Sequence, residues 1–487
     1  MSKSVNEVIM IPPEKRARRV DNNENQDRLS DLPDCVLFHI LSYLDSKHAV
    51  QTCVLSTRWN HLWKRIPTLI LHTTEFRTVK IFAIFVSNIL TLRDTSTALH
   101  TLDLYRHGDI EPRLLKIVLN YVSSHNTHIQ KLGISVSADS ILIMSCVSSC
   151  RALTSLELSL YSRGSDNFTK TIFPKSLNLP LLTSLYLENF AFCSGENGCA
   201  DPFTTLPKLN SLAICRCSVK DAQILSISSE TLVSLAMRYN SSDFDKIELS
   251  TPSLRTFTFT GKLIQKICGS GLSFVKLVNI DDYSDSVDHA LVLFSWLEDL
   301  ANIESLRVTS NTLQILSLVP DLLELKLPSF CNLKTLEVEL SPLSYGSIYI
   351  YIENAMLKKA VAKSRKEAAK LRKAIKAGLK PPPIPEGIVD FLRQNSPSAE
   401  VNIKTNHTGY FNLKQAIEES IKGAKITEYR SQFAVPASST APTYAAAPDS
   451  AAAPSTAAPP NFHLCPAEKV TVIPHMHFDG FSLSLCY

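Results

Sequence analysis

The sequence is poor in the features that mark membrane proteins, metal-stapled domains and enzymes. No run approaches about 18 uninterrupted apolar residues, the minimum for a membrane-crossing helix, and the opening "MSKSVNEVIMIPPEKRARRVDNNENQDR" lacks the apolar core of a secretory signal. Twelve cysteines include no CxxC pair, and most stand among Leu, Ile and Val, so they read as reduced structural thiols, not zinc ligands. A formal net charge of +4 over 487 residues selects no partner. No GxxxxGK[ST] loop, HExxH, GxSxG elbow or post-strand GxGxxG occurs. The expectation is a soluble intracellular protein, not an enzyme, with no cofactor, no metal and no membrane partner.

Tryptophan is also scarce, with three in the chain, yet two fall within "VLSTRWNHLW", residues 54–63. Helical spacing places Trp59 and Trp63 on one face, one turn apart. Around them, Asp27 to Leu69 reads as three short helices. Ser30 or Asp31 caps the first, with Pro33 near its opening turn and Val36, Leu37, Ile40, Leu41 and Leu44 at helical spacing. Asp45 or Ser46 caps the second, which carries Ala49, Val50 and Cys53; Ser56 or Thr57 caps the third, with Trp59, Leu62 and Trp63. Three helices in about forty residues build only a small core, so part of this apolar surface belongs to a partner.

From Leu99 the pattern changes to an internal repeat. "LHTLDL" from Leu99, "IQKLGI" from Ile129, "LTSLEL" from Leu153, "LTSLYL" from Leu182, "LNSLAI" from Leu209, "LVSLAM" from Leu232, "LRTFTF" from Leu254, "IESLRV" from Ile303, "LLELKL" from Leu322 and "LKTLEV" from Leu333 share an LxxLxL frame, and Phe274 to Ile280 is a degenerate copy. Three copies extend to the position where leucine-rich repeats favour Asn or Cys, at Cys217, Asn240 and Asn311. Alternation in xLxL sends the leucines inward and Thr, Ser, Glu and Arg outward on a parallel strand. One such copy is not stable alone; stacked copies bury each other's leucines, which predicts a solenoid.

The flanks differ in composition. Residues 1–26 form a polar arm whose Lys15, Arg16, Arg18 and Arg19 make a candidate nuclear-localisation signal. Residues 353–380 are Ala- and Lys-rich and read as a basic helix with an apolar seam of Leu357, Val361, Ala368, Leu371 and Ile375, stopped at Pro381 to Pro383. A charged helix packed on or linking to the solenoid end is the preferred reading; a nucleic-acid contact is disfavoured because no aromatics interleave the charges and the rest of the chain is not basic, and a coiled-coil partner is the remaining alternative. Residues 387–394 read as a further helix and 400–403 as a strand, 434–460 are an Ala/Pro/Ser/Thr linker, and the histidine pair His475 and His477 reads as incidental.

Residues 27–69 resemble the plant form of the F-box, with "CVLSTRWNHLW" close to the signature C-V-L-S-x-R-W-x-x-L-W, and residues 384–403, "IPEGIVDFLRQNSPSAEVNI", resemble the FBD-type segment of the plant F-box/leucine-rich-repeat family. The resemblance implies an α+β (α/β) solenoid protein with an N-terminal three-helix F-box and a curved leucine-rich-repeat solenoid; the basic helix and disordered tail that follow depart from the family. Taken with the composition of the flanks, the expected segments are 1–26 arm, 27–69 F-box, 70–98 connecting helical segment, 99–345 repeats, 346–380 basic helix, 381–404 FBD-like segment and 434–487 low-complexity tail, with 405–433 uncertain. The resemblance further implies a substrate-recognition subunit of an SCF-type ubiquitin ligase. The F-box would dock on a Skp-family adaptor, and through it on cullin and RING subunits, while the repeats hold an unknown protein target. Leu32, Pro33, Ile40, Leu41, Leu44, Val50, Val54, Leu55, Trp59 and Trp63 match the family's docking and packing positions. Localisation would be nuclear, cytoplasmic or both. The alternative is an F-box/leucine-rich-repeat scaffold acting without ubiquitylation.

Overall fold

The computed structural model describes residue 29 and residues 31–405, except 162–169, 176, 196–197, 285–286, 301, 320, 327–329, 341–346 and 380, together with strands at 425–428, 476–478 and 481–483. Lys15, Arg16, Arg18, Arg19, Ser30 and the linker 434–460 lie outside the described residues.

The N-terminal unit opens with helix α1 (Asp34–Leu41) and helix α2 (Ser46–Gln51). Helix α1 starts later than the sequence suggests: Pro33, not Ser30 or Asp31, occupies the N-cap, and no side chain caps the helix. Its fixed φ suits a helix entrance without one. Asp45 caps α2 as expected, accepting from His48 N at 2.9 Å. The third helix, Thr57–Arg65, is a 3₁₀ helix, not an α-helix. Near three residues per turn, Trp59 and Leu62 eclipse each other with Trp63 beside them, and all three are buried.

A thirteen-stranded parallel sheet follows. Its strands, in spatial and chain order, are Thr68–His72, Thr101–Asp109, Lys131–Ser137, Ser155–Tyr161, Ser184–Glu188, Ser211–Cys215, Ser234–Arg238, Thr256–Gly261, Leu277–Asp282, Ser305–Thr309, Thr335–Leu340, Glu400–Thr405 and Lys425–Glu428. Every LxxLxL copy except one supplies a strand two residues into its motif, and the degenerate copy supplies Leu277–Asp282. "LLELKL" does not: Leu322–Glu324 is a 3₁₀ turn. Two buried rows of aliphatic and aromatic side chains cross the sheet in register. One runs through Leu156, Leu185, Leu212, Leu235 and Phe257, the other through Leu158, Leu187, Ile214, Met237 and Phe259.

Helices back the early repeats: α3 (Val79–Leu92), α4 (Pro112–Ser124) and α5 (Ser140–Ser149). Thr78 caps α3 by accepting from Ile81 N at 3.2 Å, and Pro112 opens α4, whose Leu114, Leu115, Val118, Leu119 and Val122 are buried at helical spacing. Middle repeats cross back through short strands, in a three-stranded and a four-stranded parallel sheet, before helices return at α6 (Val287–Asp299) and α7 (Ser310–Leu316). The third tryptophan, Trp296 of α6, is fully buried against Phe257 and Phe259 and donates its indole N–H to Gln265 O at 2.9 Å.

Two placements differ from the sequence reading. The first strand, Thr68–His72, overlaps the end of the helical unit and the segment expected to be a helical connector, so sheet and helices meet without a linker. The basic segment does not follow the solenoid but interrupts it. Strands Thr335–Leu340 and Glu400–Thr405 pair directly, Thr335 opposite Glu400 and Val338 opposite Ile403, and the chain between them carries α8 (Ser347–Lys363), α9 (Arg365–Lys376) and α10 (Ile388–Leu392). The expected single basic helix is therefore two, broken at Ser364, which is extended and caps α9 by accepting from Glu367 N at 3.1 Å. Gln314 Nε2 donates to Pro382 O at 2.7 Å and Ser396 Oγ to Phe330 O at 2.7 Å, bracing the returning chain on the last repeats. Residues 431–487 form a separate unit, in which an antiparallel pair, Met476–Phe478 with Phe481–Leu483, is described.

Candidate functional site

Helix α1 carries two apolar stripes. Leu37 and Leu41, one turn apart, are fully buried. Val36 and Ile40, also one turn apart, and Tyr43 just past the helix end, face solvent on the other side, with Tyr43 75% exposed. Sequence reasoning took the inner and outer residues as one set and did not select Val36 or Tyr43; the i, i+4, i+7 spacing of 36, 40 and 43 was the available signal. Tyr43 packs edge-on to His39 at 5.0 Å, its hydroxyl 3.2 Å from His39 Nε2.

The short 3₁₀ turn Thr52–Val54 and the residue after it add Val54, 60% exposed, and Leu55, 57% exposed. The ten residues expected to dock or pack therefore divide. Pro33, Ile40, Val54 and Leu55 are exposed, Leu32, Leu44 and Val50 are half-buried, and Leu41, Trp59 and Trp63 are core. Trp59 is 3% and Trp63 5% exposed, so the pair does not split between core and surface. Both belong to the core of the unit, and Arg58 of the same 3₁₀ helix reaches Asp34 Oδ1 at 2.8 Å, tying this helix to the start of α1.

The helical unit is fixed to the first repeats by polar ties. Ser46 Oγ accepts from Ile70 N at 3.0 Å, Lys47 Nζ donates to Glu75 O at 2.7 Å, and Asp94 N donates to Lys64 O at 3.1 Å. Buried Arg93 joins Ile66 O to Tyr121 of α4, donating to the phenol oxygen at 2.9 Å. At the same junction Asp103 holds His72 Nε2 at 2.8 Å, and this hydrogen bond raises the imidazole pKa despite partial burial. Gly133 leaves room beside it: a Cβ there would stand 2.6 Å from Asp103 Oδ1 and push the carboxylate aside. Asp45, His48 and Glu75 bring ligand-type atoms within 4.8 Å of one another. Asp45 is already engaged, as the α2 cap and with His48 Nδ1.

On the solvent side of the sheet, the middle repeats present a low floor. Ala213, Ala236 and Thr258 lie in one register row, with Tyr186 on one side and Asn279 on the other. Where these strands end, four successive repeats turn through positive φ at the same motif position: Asn189, Arg216, Tyr239 and Gly261. The turn extends the ladder. Asn189 N donates to Cys215 O, Arg216 N to Arg238 O and Tyr239 N to Thr260 O, at 2.7 to 3.0 Å. Arg216 and Tyr239 occupy a conformation that disfavours side chains with a Cβ, and sequence gave no sign of it. Deeper in the turn, two of the expected Asn/Cys positions meet, with Cys217 N donating to Asn240 Oδ1 at 2.9 Å; Asn311 instead lies inside α7.

Side chains along this edge form a polar and aromatic strip. Arg216 pairs with Glu188 at 2.6 Å, Ser159 Oγ and Tyr186 Oη also donate to Glu188 at 3.0 and 3.3 Å, and Tyr239 stacks on Tyr283 at 6.2 Å. Partial burial, reinforced by Glu188, pushes the Tyr161 phenol up to about 12. Next to the strip Asp282 is fully buried, and burial lifts its carboxyl to about 6 although Ser284 and Leu263 N donate to Oδ1.

Comparison with known proteins agrees with this division. The F-box domain model matches residues 29–71, the helical unit and the first strand. The chain is 26% identical over 370 residues to F-box/LRR-repeat protein 13 of Arabidopsis thaliana, covering 71% of this chain and 78% of that protein. Another F-box/LRR-repeat protein of the same plant is 28% identical over 349 residues, covering 66% and 87%, and an FBD-associated F-box protein is 25% identical over 365, covering 70% and 77%.

Proposed function

The chain belongs to the plant F-box/leucine-rich-repeat/FBD-like family, a family of non-catalytic, protein-binding adaptors, and from that premise we propose that it is the substrate-recognition subunit of an SCF-type ubiquitin ligase. In this reading the outward stripe of α1 with Val54 and Leu55 docks on a Skp-family adaptor, which joins it to cullin and RING subunits. The solvent side of the solenoid holds the protein target. The observation that carries the reading is the exposure of Ile40, Tyr43, Val54 and Leu55 on a unit whose tryptophans are spent on its own core. Large apolar side chains left outside so small a fold fit a partner surface.

No residue of this chain has to perform chemistry. Holding a target near a loaded ubiquitin-conjugating enzyme raises its effective concentration and makes transfer nearly intramolecular. The hydrogen-bonded junction at Ser46, Lys47 and Arg93 would transmit that geometry from adaptor to target. Lys15, Arg16, Arg18 and Arg19 support a nuclear pool beside a cytoplasmic one.

The test is co-purification of the full-length chain with a plant Skp-family adaptor, wild type against Ile40→Asp. Retention by the wild type and loss by a variant with unchanged circular dichroism is the expected result. A folded wild type that fails to retain the adaptor overturns the reading.

A further inference from the structure

We propose that the outward face of α9, the second helix of the pair inserted between the eleventh and twelfth strands, is a docking surface for a short acidic segment of a partner protein. Residues 353–380 carry ten Lys and Arg against two Glu, a net of +8 in a chain whose total is +4, so the rest of the chain is acidic at −4. In α9 the cations are Arg365, Lys366, Lys370, Arg372, Lys373 and Lys376, all exposed, and none has an ion-pair partner among the described residues. At 3.6 residues per turn they fall within an arc of about 160°. Ala368, buried, and Leu371, Ala374 and Ile375, half-buried, take the opposite face, toward α8.

This arrangement works against the helix that carries it. Lys366 with Lys370 and Arg372 with Lys376 are like charges at i, i+4, and Lys370 with Lys373 and Lys373 with Lys376 at i, i+3; each such pair costs a few tenths of a kcal/mol, about as much as an opposite pair gains. A bound polyanion removes that cost. In the last repeats Lys276 and Lys334 share Glu304, and Lys404 and Arg307 share Glu337, so these four cations are already engaged.

Three observations favour an acidic protein segment over other polyanions. Helix α9 has no aromatic side chain to stack on bases. Its aliphatic face is turned toward α8, leaving nothing on the charged face to enter a bilayer. The stripe is about 18 Å long, which matches a helical segment of about a dozen residues bearing five or six carboxylates and not a long polyelectrolyte. The inference is independent of adaptor docking and fails or stands without it.

The experiment is fluorescence anisotropy on the full-length protein with a labelled twelve-residue peptide bearing six Glu, against the same peptide with Gln. Duplex DNA and phosphatidylserine vesicles serve as competitors. Expected are at least tenfold tighter binding of the Glu peptide, a loss of at least tenfold between low and high salt, and a similar loss in Lys366→Glu/Lys370→Glu/Lys373→Glu, with Lys131→Glu unchanged. The triple Lys→Gln variant, which adds no new charge, provides the same test with a several-fold loss if the reversal perturbs the fold. Equal affinity for the two peptides, an unaffected variant, or displacement by DNA or vesicles at lower charge concentration than unlabelled Glu peptide would each overturn the proposal.

Discussion

The helical unit and the solenoid treat their outward-facing positions in opposite ways. On α1 and the turn after α2, the outward positions hold Val36, Ile40, Tyr43, Val54 and Leu55, large, apolar and exposed. On the sheet, the equivalent positions hold Ser, Thr, Ala and charges that pair across strands, such as Arg216 with Glu188 and Lys404 with Glu337. A surface of the first kind fits the proposed docking partner that would cover it. One of the second kind is stable bare and acquires specificity from a few additions, here the edge strip of Tyr186, Arg216, Tyr239 and Tyr283.

The sharpest way to break this comparison is to remove the support of the apolar surface. Trp59→Ala deletes a side chain that is 3% exposed in a core of three short helices, and such truncations cost about 3–5 kcal/mol. The unit has little else to hold α1, so loss of amide protection across residues 34–66 is expected, with adaptor binding lost as well. Leu235→Ala removes a fully buried leucine from the solenoid at a cost of about 2–5 kcal/mol, but its neighbours on either side should confine the damage to adjacent repeats. Hydrogen exchange read by mass spectrometry distinguishes the two. Protection of 34–66 that survives Trp59→Ala would show that the tryptophan is not the support assigned to it.

A second intervention leaves the support and removes the surface. Tyr43→Ala and Val54→Asp alter exposed side chains, so stability should move by no more than about 0.5 kcal/mol. Adaptor affinity should fall by about 2 kcal/mol or more for a central position, roughly thirtyfold. Calorimetric titration of adaptor into each variant gives the number, and unchanged affinity in both would place the contact elsewhere on the unit.

Much of this organisation was legible because it is periodic. The LxxLxL frame located nearly every strand of the sheet between Leu99 and Leu340, since alternation and burial impose the same letters wherever a strand stacks on its neighbours. It failed at "LLELKL", where the letters match but Leu322–Glu324 turns as a 3₁₀ helix, and it missed Thr68–His72, which was divided between the end of the helical motif at Leu69 and the expected helical connector from residue 70. Continuity of the sheet across the basic insertion was not legible either. Pairing of Thr335 with Glu400 is a contact between residues far apart in sequence, and no local pattern announces it. At the site, the docking positions were identified as a group but not sorted into inside and outside. That sorting depends on how the short elements of the unit pack on one another, which buries both tryptophans and leaves Ile40, Val54 and Leu55 outside, and no local spacing announces it. The left-handed Arg216 and Tyr239 were invisible because residues other than Gly and Asn rarely advertise positive φ.

The smallest expected effect tests whether the solenoid edge gives up stability for its shape. Asp282 lies fully buried where the ninth strand ends, its Oδ1 accepting from Ser284 and Leu263 N while Oδ2 has no hydrogen-bond partner among the described residues. Burial raises the carboxyl from its ordinary 3.8 to about 6. Between these values the folded chain holds a proton that the unfolded chain has released, so stability falls as pH rises from about 4 to 6 and levels off above. Across that window the loss is up to about 3 kcal/mol at 1.36 kcal/mol per unit. Asp282→Asn keeps an acceptor for Leu263 N and removes the charge, although it buries an amide N–H₂ that also needs partners. A gain of about 1–2 kcal/mol at pH 7 is therefore expected, together with a flatter stability profile between pH 4 and 6, measured by denaturant unfolding at several pH values. A variant as pH-dependent as the wild type in that window would remove Asp282 from the account. A flat profile with lower stability would mean that the unpaired amide outweighs the charge, and that the edge was shaped around a carboxylate.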